Sequence, residues 1–360
     1  MKSYPAILSA LLLAAVLFCG CGKDSAPVAP ENPAPAVQPE PAPEPEISGV
    51  LNPLTGIFEE ELSEEAAARK PVAIMINNLK KALPQRGISQ ADILYEMQAE
   101  GGITRLLAIF QDPSAVEEIG TVRSSRSYYI DMAQSHNAVY LHFGASQIAY
   151  DTIRARSGEL IALDGIRGGY EGTLYYRDKA RIQNAGYEHS VFTTGERIEE
   201  TLQTLNRDLS NSSWGTAYSF SEEHSAKSGQ SAAVVTVPHS NYITAEFRYD
   251  PETRQYFRWQ YGQEHYDEAY DCQLAFQNVI IPRMQTGLRG GDSYGWIKIQ
   301  TTGTGDGYYC CEGKYVPITW SKDRYDAPIK YYQMDGSELA VCPGKTFVCV
   351  AKTDTEISFS

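Results

Sequence analysis

What this 360-residue sequence lacks removes several classes of function. Positive charge is in deficit: 31 Lys and Arg stand against 45 Asp and Glu, a net charge of −14. A nucleic-acid binder needs a basic face, so no nucleic-acid partner is expected. The apolar run at the N-terminus, Ala6 to Phe18, falls short of the ~20 residues that a membrane-spanning helix takes. The one GxSxG match, Gly291 to Gly295, lies between strand-like runs with no helix after it and so does not read as a nucleophile elbow, and no His pair has HExxH spacing. Covalent and metal mechanisms therefore have no motif behind them, and neither a metal nor a cofactor is expected. Cysteine is sparse beyond Cys21, where five remain in the last quarter: Cys272, Cys310, Cys311, Cys342 and Cys349. An odd number forbids complete pairing, and Cys310–Cys311 lacks CxxC spacing. One or two disulfides, or small buried hydrophobes, both fit.

What is present begins with an export signal: Lys2, the apolar run, then Gly20 and Cys21, which resemble the lipobox of bacterial lipoproteins. Residues 1–21 read as a signal peptide, with Cys21 as the lipidated first residue of the mature chain. Phe18 departs from the Leu favoured at that position. Residues 22–48, rich in Pro, Ala and Glu, cannot bury enough apolar surface to offset their ordering entropy, and read as a disordered tether. The expected location is the extracytoplasmic face of the cell membrane, held by a lipid anchor. The remaining stretch, about 310 residues, exceeds the size at which single cores stop growing, so two domains are expected.

Residues 49–215 alternate strand-like and helix-like patterns. Val72 to Ile76, Ile103 to Phe110 and Ala138 to Phe143 are continuous apolar runs of buried strands. Helices are predicted after a Ser89 cap, from about Ser124 to Gln134, from Ser146 to Arg156, and from Gly195 to Leu209. Residues 225–360 switch to period two, with YITAEFRY and QYFRWQY flanking a turn at Asp250. The Gly-rich GLRGGDSYG and TGTGDG segments lie between strands and read as turns. The fold class is therefore an α/β N-terminal domain followed by an antiparallel all-β C-terminal domain, α+β overall.

NPLTG at Asn52, PVAIMINN at Pro71, PQRGISQADILYE at Pro84, EGGITRLLAIF at Glu100 and VRSSRSYY at Val122 resemble the YerB-like lipoproteins of Gram-positive bacteria, the DUF3048 family. HYD at His265, NVII at Asn278, GTGDG at Gly303 and DGSELAVCPGKTF at Asp335 extend the resemblance through the second domain. It implies a lipid-anchored surface protein of the cell envelope, and it supplies no activity. Thr121 stands where the family pattern has Pro. Phe143 to Ser146 and Glu188-His189-Ser190 also depart from it.

The densest chemistry lies between Glu96 and Arg126. Arg123, Ser124 and Arg126 enter a predicted helix, where free N–H groups and the helix dipole attract anions. Three residues apart, the two arginines could share a carboxylate or phosphate, joined by Arg105; equally, they could pair with Glu96 or Glu100 and lock two elements together. Glu96 and Glu100, four apart, would share a helix face. His142 ends a strand before a Gly turn, where open α/β sheets bind ligands, and Asp178 and His189 are lesser candidates. The ranked expectation is a non-catalytic protein holding an anionic ligand, a cell-wall fragment or an envelope partner, in an arginine-lined cleft. Alternatives are a cell-envelope hydrolase using Glu96 or Glu100 with His142, and a scaffold for an envelope complex.

Overall fold

The computed structural model describes residues 48–211, 214, 218–290 and 295–360. The signal segment, Cys21 and the tether as far as residue 47 lie outside the described residues, as does part of the GLRGGDSYG loop. Among the described residues, no helix is long and apolar enough to cross a membrane.

Twelve strands carry the site: β1 (Val72–Asn77), β2 (Ile93–Gln98), β3 (Thr104–Phe110), β4 (Val139–His142), β5 (Ala162–Asp164), β6 (Val234–Pro238), β7 (Thr244–Asp250), β8 (Gln255–Gln260), β9 (Asn278–Met284), β10 (Gly303–Cys311), β11 (Lys314–Lys322) and β12 (Thr346–Cys349). The helices that frame them are α1 (Ser127–Ser135), α2 (Gln147–Ala155), α3 (Lys179–Asn184) and α4 (Gly195–Thr204). The chain has two domains, α/β then mainly antiparallel β, and a twelve-stranded sheet runs through both, with the central order β11-β10-β9-β12-β2-β3-β1-β4-β5. In the N-terminal domain β1, β4 and β5 are parallel, while β3 is antiparallel to both its neighbours. The domains meet where β12, from the end of the chain, lies parallel between β9 and β2. Strands β6, β7 and β8 belong to a second sheet, of six strands.

The apolar runs form strands because both faces of the sheet are covered, so period two sorts their residues into two cores. Val72, Ile74, Leu94, Leu106 and Ala108 pack with Ile198 and Leu202 of α4 and with Val235 and Phe247 of the second sheet. Ala73, Met75, Tyr95, Leu107 and Ile109 pack with Tyr129 and Met132 of α1 and Ala149 of α2. Helix α2 starts at Ser146 as expected, its hydroxyl accepting from the Ala149 N–H.

Elsewhere local pattern misleads. No helix follows Ser89; Gly87 and Ser89 give their N–H groups to the Asp267 carboxylate, and only a 3₁₀ turn, Ile88–Gln90, forms before β2. Glu96 and Glu100 therefore share no helix face: one lies in a strand, the other in the turn after it. Helix α1 begins at Ser127 rather than Ser124, leaving Arg123 outside the helix and Arg126 at the cap position. Helix α4 stops at Thr204 because the chain beyond turns back to Arg69 and Lys70, where Arg69 bridges Ser210 and the Lys70 N–H donates to the Leu209 carbonyl.

Candidate functional site

Glu96 is wholly buried in β2, and its carboxylate collects groups from both domains. Oε1 accepts from Thr104 Oγ1 at 2.7 Å and Asn78 Nδ2 at 3.1 Å. Oε2 accepts from the equally buried Arg258 of β8 and lies 3.5 Å from His239 Nε2. Burial opposes its charge, but Arg258 and then His239 outweigh burial and hold the carboxyl well below the ordinary range.

A chain of hydrogen bonds leaves this hub. Arg258 Nη1 donates to His265 Nδ1 at 2.9 Å. Guanidinium cannot accept, so the His265 proton sits on Nε2 and is given to Gln85 Oε1 at 2.8 Å. Burial and the Arg258 charge push the His265 pKa far down, which keeps this ring neutral. Gln85 Nε2 donates to the Asn77 carbonyl at 2.9 Å and to Asn78 Oδ1 at 3.2 Å. Asn77 Oδ1 is taken by the Leu79 N–H, so its Nδ2 donates to His189 Nδ1 at 2.8 Å. The other nitrogen of His189 faces Glu188 Oε1 at 3.4 Å, and Glu188 Oε2 receives Arg123 Nη2 at 2.7 Å. A buried ion pair is thus linked to a surface ion pair.

Three guanidinium groups gather where this chain surfaces. Arg126 grips Glu100 with two bonds, Nε to Oε1 at 2.6 Å and Nη2 to Oε2 at 2.8 Å, so the turn after β2 is fastened to the start of α1. Burial opposes the Glu100 charge, yet the Arg126 bonds leave its carboxyl below the ordinary value. Arg123 also reaches the Glu188 backbone carbonyl, at 3.1 Å. Arg105 differs from both. It is 5% exposed, it donates through Nη1 to the Ser124 carbonyl, and its Nε has no partner among the described residues. Among the described residues no carboxylate hydrogen-bonds it. Burial first, and then repulsion from Arg126, lower its pKa to about 10.

The remaining candidates fall elsewhere. Ser124 contributes its carbonyl to Arg105. Asp178 is occupied: its carboxylate caps α3, taking the Ala180 and Arg181 N–H groups, and pairs with Arg86 Nη1 at 2.9 Å. His142 is fully buried, with Nδ1 on the Gly144 carbonyl at 2.9 Å and 3.6 Å from Asp164 Oδ1. Burial lowers its pKa, with Asp164 opposing. Two strands, β3 and β1, separate β2 from β4, which puts Glu96 and His142 about 14 Å apart at ~4.8 Å per strand. They cannot act on one substrate atom as acid and base.

Arg258, His265, His239, Gln85 and Glu188 were not legible as site residues. Only Arg258 left a local sign: in QYFRWQY it shares the alternating, buried face of β8 with Tyr256 and Gln260.

Comparison with known proteins fits this architecture. The N-terminal model of the protein family of unknown function DUF3048 matches residues 54–208, and its C-terminal model matches residues 233–348. A curated relative, "Putative lipoprotein YerB" of Bacillus subtilis (strain 168), is 28% identical over 297 residues, covering 82% of this chain and 84% of the relative. The crystal structure of the YerB protein from Bacillus subtilis superposes with a TM-score of 0.73 at 26% identity, covering 86% of this chain and 99% of that one. With both family regions matched in order and the same fold beneath them, this chain belongs to the DUF3048 family.

Proposed function

We propose that this protein is a lipoprotein tethered through Cys21 to the extracytoplasmic face of the membrane, where it binds without catalysis an anionic group of a cell-wall fragment or envelope partner. Arg105 and Arg123 provide the binding charge, and Arg126, steadied by Glu100, shapes the site. The observation that carries this reading is Arg105, a buried cation that no carboxylate hydrogen-bonds among the described residues, Glu100 acting on it only at a distance. Burying an unpaired charge costs several kcal/mol, and a bound carboxylate or phosphate offsets that cost with bidentate bonds. Glu188 marks the same chemistry on the Arg123 side: its carboxylate is 61% exposed, so a ligand anion can displace it. The relative's description as a lipoprotein supports the anchor.

The test is thermal stabilisation of the full chain by muramyl peptides, glycerol phosphate and inorganic phosphate. A ligand at a hundred times its Kd adds about 2.7 kcal/mol to stability. At least one probe is expected to raise Tm, and Arg123→Ala to lose that rise. No shift with any probe, or equal shifts in wild type and variant, overturns the anion site.

A further inference from the structure

Far from the arginines in sequence, a second cluster belongs to the C-terminal domain. Cys311 ends β10 at a two-residue turn, Glu312-Gly313, with φ of 49° and 69°, which fits a tight hairpin. His224 precedes the 3₁₀ turn Ser225–Ser228, and Cys342 follows the short strand Ala340–Val341, its N–H donating to Tyr309 Oη at 2.9 Å. His224, Cys311 and Cys342 are all buried, and each offers a ligand atom within 4.8 Å of the others. Cys311 Sγ lies 3.7 Å from His224 Nε2, and His224 Nε2 lies 3.1 Å from Glu312 Oε2.

We propose that Cys311, Cys342, His224 and Glu312 form a site for one zinc ion. Tetrahedral zinc with Zn–S and Zn–N bonds of ordinary length holds those ligand atoms about 3.6 Å apart, and nitrogen and oxygen about 3.4 Å apart. The 3.7 Å Cys311–His224 and 3.1 Å His224–Glu312 separations approach these values, and Glu312, which stands outside the compact group of three, must swing toward the thiols to ligate. The donor set selects the metal: thiolates with imidazole suit zinc and exclude calcium and magnesium. Charge also balances. Two thiolates and one carboxylate against Zn²⁺ leave −1, and Arg254, on the far oxygen of Glu312, supplies +1. Binding converts two thiols to thiolates and releases two protons to solvent for each ion bound. Among the described residues His224 Nδ1 has no partner, so the imidazole lacks its usual outer support, which lowers affinity ~10–100-fold relative to a fully supported site.

A second group, Glu96, His239 and Cys349, is equally compact. There Arg258 already neutralises the carboxylate from within the core, and a divalent cation would be repelled.

The experiment adds Co²⁺, then Zn²⁺, to the reduced full chain. One cobalt per chain is expected, with a thiolate-to-metal charge-transfer band, followed by loss of the band and a rise in Tm when zinc displaces it. Cys342→Ser and His224→Gln should lose the band, and Cys272→Ser, outside the cluster, should keep it. If either of these variants fails to fold, Cys349→Ser in the second group decides: the band should persist there, and its loss overturns the site. A reduced wild type with no band overturns the site, as does a band that survives in folded Cys342→Ser. So does a Cys311–Cys342 disulfide in protein from cells together with no metal uptake after reduction.

Discussion

Glu96 and Arg258 show how strongly one buried pair can constrain a chain. Both side chains are fully buried, and each comes from a different domain. Removing one partner leaves the other charged and dry, so Arg258→Met should cost about 3–5 kcal/mol in denaturant unfolding. Replacing both, Glu96→Leu with Arg258→Met, should recover much of that loss. A double variant as unstable as the single one would show that the neutral partners Thr104 and Asn78, rather than the charge pair, dominate the hub. Glu96 stood out in the sequence as a candidate, but on an expected helix face shared with Glu100 rather than in a buried strand. Its partner did not, because Arg258 lies 162 residues away and nothing local announces a tertiary ion pair.

At the scale of elements, the turn after β2 and the start of α1 work as one device. Helix α1 has no side-chain cap, and the Glu100–Arg126 fork fastens its first turn instead. Glu100→Gln should therefore cost about 1–2 kcal/mol, between exposed and fully buried pairs, and speed amide exchange in the first turn of α1. The strands β1, β3 and β4 could be read from their apolar runs, and α2 from its Ser146 cap, because those signals are local. The Glu96–Glu100 spacing suggested a helix, yet β2 is a strand because β3 and β12 pair with both of its edges. That information resides at the other end of the chain.

For the whole molecule, the joining of the two domains has consequences for folding. Both family regions were visible from motifs, but neither pattern nor motif says which strands become neighbours. Because β12 fills the gap between β2 and β9, a chain ending before Thr346 bares two sheet edges. Such a truncation should aggregate, as light scattering would record, whereas the intact folded unit should unfold in one cooperative transition. Acid should also destabilise the fold. Burial, with Lys322 adding to it, lowers His136 to about 3, and burial likewise lowers His142, His189 and His265. Between about pH 6.5 and 3 the unfolded chain then binds more protons on these rings than the folded one, so stability falls as pH falls. Asp92 works the other way, since burial raises it to about 6 and its protonation in the folded state offsets part of the loss above pH 4. Urea midpoints that stay level from pH 7 to 5 would contradict this balance.

The central claim is that Arg105 and Arg123 meet an anion, and side-chain NMR observes them directly. In a titration with a muramyl peptide and with phosphate, the Nε–H resonances of Arg105 and Arg123 should move saturably. Those of Arg69 and Arg156, each already held by its own carboxylate, should stay still. Arginine signals that do not move, or that all drift together as they would with added salt, would contradict the account.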